Sequence, residues 1–166
     1  EKNINSLLSD CIKRANSEKS PHVLLIKKGT FNYYNNVLIE KNNKKFIREK
    51  ALEIILDSLP KDAIIISTTG VTSREIFEIR ERNDQKHNKD FLTVGSMGHS
   101  SSIALGLAVA NPERKVFCID GDGSIIMHMG SLSVIGDIGP KNFYHILINN
   151  ESHESVGGQS TSAKNE

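Results

Sequence analysis

The sequence predicts an α/β fold in which helices cover both faces of a parallel sheet that is incomplete at both ends. Short apolar runs alternate with longer segments of helical period, which is typical of strand–helix–strand units. The runs are apolar throughout instead of alternating with polar residues, as expected for strands buried on both faces of a sheet. Polar residues or glycine stop each run. The four predicted strands span residues 63–67, 91–94, 116–119 and 143–148.

The first part of the chain is predicted to be the end of a separate domain. Residues 3–18 place apolar side chains at helical spacing, and Ser20-Pro21 breaks that pattern. Residues 22–29 form an apolar run that ends at Gly29, which predicts a strand. The following stretch is rich in Asn, Tyr and Lys and has neither period, as expected for a linker. The predicted division is residues 1–30 for the end of a first domain, 31–46 for the linker and 47–166 for a second, truncated domain.

Four helices are predicted before and between the strands, each from a different feature of the sequence. Residues 46–59 have an apolar face and end before a proline, which cannot continue a helix. The next helix is predicted to begin with Thr72 as its N-cap, and Glu75 three residues later closes a capping box. A third helix is predicted over residues 100–110, whose side chains are small enough for the helix to pack closely on a sheet. The last helix is predicted over residues 124–135.

Polar or glycine-rich segments follow all four predicted strands. They begin at Thr68, Gly95, Asp120 and Asn149. Because parallel strands joined by crossover helices run in one direction, these segments should meet at the carboxyl edge of the sheet. Ligands of open α/β sheets bind at that edge. The convergence therefore predicts a binding site there.

Two of these segments carry oxygen ligands suited to a divalent cation. Asp122 offers a carboxylate oxygen, Asn150 offers an amide oxygen, and a backbone carbonyl near Ser152 offers a third. Mg²⁺ prefers oxygen ligands in octahedral geometry and keeps positions for phosphate oxygens and water. The sequence therefore predicts a Mg²⁺ ion that holds a diphosphate.

The residues around the predicted cation are suited to the anion itself. Gly121 and Gly123 let the backbone approach a phosphate without a Cβ in the way. The helix predicted to begin at Ser124 presents unpaired N–H groups. Thr69 and Gly70, after another predicted strand, offer a hydroxyl and a backbone N–H to the same ligand.

A family resemblance rests on these motifs. Gly121-Asp122-Gly123, followed after 25 residues by Asn149-Asn150, resembles the GDG…NN signature of thiamine diphosphate (ThDP) enzymes. The segments ISTTGVTSREIFE, VGSMGHSSSIALGLA, GDGSIIMHMGSL and NNESHESVGGQST are similar to the phosphonopyruvate and sulfopyruvate decarboxylases among them. The resemblance implies the ThDP-binding fold, with ThDP and Mg²⁺ as cofactors. It also implies that residues 1–30 end a pyrimidine-binding domain.

The resemblance assigns roles to further residues. It places the Gly95 carbonyl and the Met97 N–H against the aminopyrimidine ring of ThDP, with the Met97 side chain holding the cofactor in its bent form. It gives His99 and His153 the handling of protons or the orientation of substrate. The other four histidines are expected to have no partners.

The activity implied by the resemblance is decarboxylation of a 2-oxo acid. Phosphonopyruvate, which would give phosphonoacetaldehyde and CO₂, is favoured by the fused two-domain layout. The alternative is sulfopyruvate or the 2-oxo acid of another ThDP enzyme. Arg74 and Lys141 are the cations expected nearby. In this family an activating Glu comes from the pyrimidine-binding domain of a second subunit. A homodimer or larger assembly is therefore expected, and the 166-residue chain should be inactive by itself.

Two other enzyme classes fit parts of the same stretch less well. The strand followed by Asp120-Gly-Asp122-Gly-Ser124 also resembles haloacid-dehalogenase-type phosphatases, with Asp120 as nucleophile and Asp122 as acid–base residue. That fold needs a lysine and further acidic residues on later strands, whereas only 42 residues follow Ser124. A dinucleotide-binding loop would need a small residue where Ile126 stands.

The composition of the chain argues against nucleic acid or a membrane as its binding partner. Lys and Arg total 21 against 20 acidic residues and are dispersed, so no basic face for nucleic acid is expected. No apolar run approaches the ~20 residues that span a bilayer. Cys11 and Cys118 lie far apart and lack metal-ligand spacing. A soluble cytoplasmic protein that acts on a small molecule, without nucleic acid or membrane, is expected.

Overall fold

The computed structural model describes residues 3–31 and 47–165. The chain divides into two compact units, Glu1–Leu38 and Ile39–Glu166. Most of the predicted linker, residues 31–46, lies outside the described residues, so the domain boundary there stays a prediction. None of the helices in the described ranges is long and apolar enough to cross a membrane.

The first unit contains one helix among its described residues. α1 spans Ile4–Glu18 and begins where the Asn5 backbone N–H donates to the Asn3 side chain at 3.1 Å. The strand predicted over residues 22–29 is wrong, because this segment has an irregular backbone. A strand pairs its N–H and C=O groups with a neighbour, and the described residues of this unit, 3–31, contain no strand to serve as that neighbour. Leu25 is accordingly 92% exposed.

The second unit is built on a four-stranded parallel sheet. The strands are β1 (Ile64–Ser67), β2 (Asp90–Leu92), β3 (Val116–Gly121) and β4 (Phe143–Ile148). They lie in the order β2-β1-β3-β4, and each pairs in parallel with its neighbours. This arrangement confirms the predicted parallel sheet.

Five helices accompany the sheet in the described part of the second unit. They are α2 (Arg48–Ser58), α3 (Val71–Arg82), α4 (Ser100–Ala110), α5 (Asp122–Met127) and α6 (Gly130–Ile138). The single helix predicted over residues 124–135 is wrong, because α5 and α6 are separated at His128 and Met129. At this break, His128 Nδ1 lies 3.1 Å from the Gly98 carbonyl oxygen. A tertiary contact thus holds the chain where the helical pattern alone would continue.

The capping box predicted at the start of α3 is also wrong. The N-cap lies two residues earlier, at Gly70, whose φ of 100° suits a residue without a Cβ. The Glu75 carboxylate does not return to the helix start. It accepts a hydrogen bond from Arg48 Nε at 2.7 Å instead. A long-range ion pair therefore takes the place of the local cap.

Two apolar clusters cover the two faces of the sheet. Side chains alternate along a strand, so the neighbours Ile65 and Ile66 enter different clusters. The cluster beneath α2 and α3 contains Leu52, Leu56, Ile65, Ile76, Ile79 and Ile119. The cluster beneath α4 contains Ile66, Ala104, Ala108, Val116 and Cys118. Helices on both faces confirm the predicted fold class.

The segment after β4 folds into a small ribbon that the sequence pattern did not predict. β5 (Ser152–His153) pairs in antiparallel fashion with β6 (Gln159–Ser160). A 3₁₀ turn, Glu154–Val156, lies between them. Gly157 and Gly158 complete the reversal with φ values of 122° and 77°, which glycine adopts readily.

Leu52→Ala should destabilise the second unit, because Leu52 is fully buried in the cluster beneath α2 and α3. We expect the free energy of unfolding to fall by about 2–5 kcal/mol, the usual cost of truncating a buried leucine. Ile54→Ala on the same helix is the matched control, since Ile54 is half exposed. Urea denaturation followed by circular dichroism measures both variants. Equal losses would show that α2 does not bury Leu52.

Candidate functional site

A pocket opens at the carboxyl edge of the sheet, where the predicted polar segments meet. Most of the residues predicted for the site line it: Thr69, Met97, Gly121, Asp122, Gly123, Ser124, Asn150, Ser152 and His153. Gly70, Gly95 and His99 neighbour these residues along the chain but do not belong to the lining. The structure therefore brings the two halves of the GDG…NN pattern together.

Asp122 lies at the first position of α5 with only 4% of its surface exposed. The Thr161 hydroxyl, also buried, donates a hydrogen bond to Asp122 Oδ2. The Thr161 backbone N–H in turn donates to the Glu151 carbonyl oxygen at 3.0 Å. Sequence reasoning missed Thr161, because nothing in the chain places a residue of the ribbon's far end beside the GDG motif. The ribbon thus fixes the position of the carboxylate.

The two asparagines after β4 shape the backbone that enters the pocket. The Asn149 side chain accepts a hydrogen bond from the Glu151 N–H at 3.0 Å, and the Asn150 side chain accepts one from the Ser152 N–H at 3.1 Å. Short side chains that bond the backbone two residues later form tight turns. Glu151 accordingly adopts a φ of 58°. Asn150 and Ser152 are thereby held on the same side of the pocket lining.

Because Gly123 has no side chain, His153, predicted to be catalytic, and Met97, predicted to bind the cofactor, can both approach the backbone of the GDG motif. A Cβ at this position would lie 2.5 Å from His153 Cε1 and 3.2 Å from Met97 Cε. No side chain larger than hydrogen fits at such distances unless the His153 ring moves. His153, Met97 and the GDG backbone therefore form one wall of the pocket.

Two hydroxyls anchor the loop that follows β2. The Gly95 N–H donates to Thr69 Oγ1 at 2.7 Å, and the Gly98 N–H donates to Ser124 Oγ at 3.0 Å. Gly98 is required here because its φ is 90° and a Cβ would lie 2.8 Å from His128 Cβ. A hydroxyl that accepts one hydrogen bond can still donate one. Thr69 therefore keeps a proton that it can direct towards an anion.

His99 stands outside the pocket lining and stacks on His128. Their ring centroids are 4.7 Å apart with an interplanar angle of 21°. His99 Nδ1 lies 3.3 Å from the Met97 carbonyl oxygen. The structure therefore separates the two predicted catalytic histidines, since only His153 faces the pocket.

The expectation that the remaining histidines have no partners is wrong. Each lies within hydrogen-bonding distance of an acceptor: His22 of Glu18, His87 of Glu81, His128 of Gly98 and His145 of Asp120. Only the contact between His22 and Glu18 could have been predicted from the sequence, because these residues lie four positions apart near the end of α1.

Asp120 is fully buried beneath the pocket and does not line it. Burial alone would raise the pKa of this carboxyl group, but hydrogen bonds from His145, Ser124 and the Gly121 N–H hold the pKa below its usual value. His145 Nε2 lies 3.3 Å from Asp120 Oδ2 on the neighbouring strand. Asp120 is therefore an internally bonded carboxylate without the access that a phosphatase nucleophile needs.

Arg48 is the cation of the pocket lining, and sequence reasoning missed it. Its hydrogen bonds to Glu75 raise the pKa of the guanidinium above its usual value against the opposing effect of burial. The cations expected near the substrate do not line the pocket. Arg74 is exposed on α3, and Lys141 precedes β4 at the opposite edge of the sheet.

The chemistry of the pocket fits a divalent cation bound to a diphosphate. The Thr161 hydroxyl that donates to the buried Asp122 carboxylate is neutral, so a cation beside this carboxylate would balance a buried charge. Asn150 adds a neutral oxygen from the end of β4. These hard oxygen donors suit Mg²⁺ better than a softer metal.

Comparison with known proteins places the same region in one family. Residues 68–166 match the family model described as thiamine pyrophosphate enzyme, C-terminal TPP binding domain. Phosphonopyruvate decarboxylase of Streptomyces viridochromogenes is 42% identical over 114 residues, which cover 69% of this chain and 27% of that protein.

A second group of relatives is equally similar. Sulfopyruvate decarboxylase subunit beta of Methanocaldococcus jannaschii is 44% identical over 107 residues, covering 64% of this chain and 54% of the subunit. The subunit beta of Methanococcus maripaludis is 41% identical over 114 residues, covering 69% and 58%. The chain thus spans between about a quarter and little more than half of these curated relatives.

Thr161→Val should destabilise the protein, because it removes the hydroxyl that donates to the buried Asp122 carboxylate. We expect the free energy of unfolding to fall by about 1–3 kcal/mol, the cost of leaving a buried acceptor without its partner. Thr161→Ser retains the hydroxyl and is the control. Urea denaturation in the absence of divalent cations measures the difference. Equal effects of Val and Ser would show that packing, and not the hydrogen bond, holds Thr161.

Proposed function

This chain belongs to the thiamine pyrophosphate enzymes through their C-terminal TPP-binding domain, and on that premise we propose that it binds Mg²⁺ and ThDP to decarboxylate phosphonopyruvate. Thiamine pyrophosphate and ThDP are the same compound. One observation carries the proposal. The carboxylate of Asp122 and the amide of Asn150, contributed after adjacent strands, line one glycine-walled pocket.

In the proposed complex, two side-chain oxygens of this chain would hold a metal ion, which would supply the counter-charge for the diphosphate. Asp122 and Asn150 supply side-chain oxygens, and the backbone carbonyl at Ser152 supplies a third. Gly121 leaves the backbone open to the phosphate oxygens. The Thr69 hydroxyl, which accepts from Gly95, donates its own proton to the anion.

The thiazolium of bound ThDP supplies an electron sink for decarboxylation. The chain's own residues orient it. Met97, packed beside Gly123, would support the cofactor with its side chain, and Gly95 and the Met97 N–H would bind its aminopyrimidine ring. His153 is proposed to move protons at the reacting centre, because it faces the pocket and His99 does not.

The complete active site is proposed to need a second subunit. The relatives are longer than the matched region, and two of them are named as a subunit beta. We propose that a pyrimidine-binding domain of a partner subunit covers the aminopyrimidine and supplies the activating carboxylate. The smallest active species is then a dimer.

The proposed substrate is phosphonopyruvate, with sulfopyruvate as the alternative. Relatives named for each substrate match at similar identity. Both substrates are 2-oxo acids that carry a second anionic group, so charge alone does not separate them. The phosphatase alternative is disfavoured because Asp120 is buried and bonded by His145.

Asp122→Ala should abolish Mg²⁺-dependent ThDP binding, because the diphosphate loses its anchored counter-ion. Isothermal calorimetry of the full-length protein with ThDP, with and without Mg²⁺, measures the change. Asp120→Asn is the matched control two residues away, and its affinity should stay near that of the wild type. Unchanged affinity in the Asp122 variant would contradict the metal assignment.

A substrate assay tests the reaction itself. The full-length protein with Mg²⁺ and ThDP should release CO₂ from phosphonopyruvate with a kcat/KM at least about tenfold above that for sulfopyruvate or pyruvate, the discrimination expected from one well-placed contact. A preference for sulfopyruvate would transfer the assignment to the alternative. No CO₂ from any 2-oxo acid, despite ThDP binding, would overturn the proposed reaction.

A further inference from the structure

Arg48 joins three separate elements at the mouth of the pocket. It is the first residue of α2, and its Nε and Nη2 donate to the Glu75 carboxylate on α3 at 2.7 and 3.0 Å. Its Nη1 donates to Glu154 Oε2 at 2.5 Å. Glu154 begins the 3₁₀ turn of the ribbon, 106 residues further along the chain. A guanidinium can bind two carboxylates at once because its N–H groups point in fixed, separate directions.

The burial of these groups distinguishes this contact from an ordinary surface ion pair. Side-chain exposure is 16% for Arg48 and 17% for Glu75, against 49% for Glu154. Exposed ion pairs contribute little because water screens them, whereas a shielded, forked contact is stronger. The inner pair with Glu75 therefore holds the guanidinium in place, and the outer pair attaches the turn to it.

The attached turn carries much of the pocket wall. Ser152 and His153 immediately precede Glu154, and the His153 ring occupies the space above Gly123. On the other side, a Cβ built on Gly70 would lie 3.6 Å from Ser155 Cβ. Whatever sets the position of Glu154 therefore also sets the Ser152 carbonyl and the His153 ring.

We propose that Arg48 is a positioning residue of the cofactor pocket. Through Glu154 it holds β5 and the 3₁₀ turn that follows, residues 152–156, in the geometry that binds the cofactor. The proposal deepens the proposed function and rests on it, because the turn matters only if Ser152 and His153 serve the cofactor. Both partners of Arg48 are side chains of this chain, so its contacts to Glu75 and Glu154 require no ligand. Arg48 lowers the cost of ordering the turn on binding.

The experiment compares Arg48→Met, Glu154→Ala and the double variant in the full-length protein. Amide hydrogen exchange of residues 152–160, measured without cofactor, reports on the turn. We expect about tenfold faster exchange there in each single variant, because local opening becomes easier. Calorimetry should show ThDP binding about three- to tenfold weaker at saturating Mg²⁺, as expected for losing a partly exposed contact. The double variant should match Arg48→Met, since Arg48→Met already removes the Arg48–Glu154 contact that Glu154→Ala breaks.

Arg82→Met is the matched control. Arg82 also joins α2 to α3, through hydrogen bonds to Glu49 and Glu53, and does not line the pocket. It should leave exchange in residues 152–160 and ThDP affinity unchanged. Unaltered exchange in Arg48→Met and Glu154→Ala would overturn the inference, as would additive losses in the double variant. A wild-type protein that fails to bind ThDP would instead refute the proposed function, while the exchange data would still report whether Arg48 holds the turn.

Discussion

The parallel pairing of β3 with β4 is the constraint on which the rest of the site depends. Its register sets Gly121 opposite Ile148, so both strands end at the same level. Asp122 and Asn150 therefore leave the sheet side by side although 27 residues separate them in the chain. A slip of one residue would turn every side chain of the shifted strand to the other face of the sheet. The apolar clusters on both faces prevent this slip, because they fix which side chains enter which face. Packing of the core thus determines the relative position of the two proposed metal ligands.

The two aspartates of the Asp120-Gly121-Asp122 stretch differ in their hydrogen-bond partners and in their access to the pocket. Asp120 is fully buried and receives hydrogen bonds from His145, Ser124 and the Gly121 N–H. These donors satisfy a buried charge inside the protein, so Asp120 stabilises the strand ends and lies outside the pocket lining. Asp122 lies in the lining and is held by the neutral Thr161 hydroxyl. Its charge is therefore the one available to an external cation. The chain sequence presents the two residues alike, and only their surroundings separate a structural carboxylate from a candidate ligand.

Sequence patterns predicted the strands and motifs that depend on neighbouring residues. They did not predict features that depend on contacts between residues distant in the chain. Apolar runs and glycine stops located the four strands of the second unit, and the GDG and NN motifs located the pocket. The strand expected over residues 22–29 is absent because strand formation depends on a pairing neighbour. Arg48 and Thr161 were missed because their partners, Glu154 and Asp122, are remote in the chain. No local periodicity encodes such contacts.

The charges of the pocket lining have a consequence for how an anion could enter it. Asp122 and Glu154 bring two negative charges, and Arg48 brings one positive charge. Arg48 is bonded to Glu75 and Glu154, so little of its charge is directed at an incoming ligand. A diphosphate approaching the lining alone would therefore meet a net negative surface at close range, where Coulomb repulsion is strong. A divalent cation at Asp122 reverses the local sign and turns repulsion into attraction. On this argument metal and diphosphate are thermodynamically linked at this site, and each should bind poorly without the other.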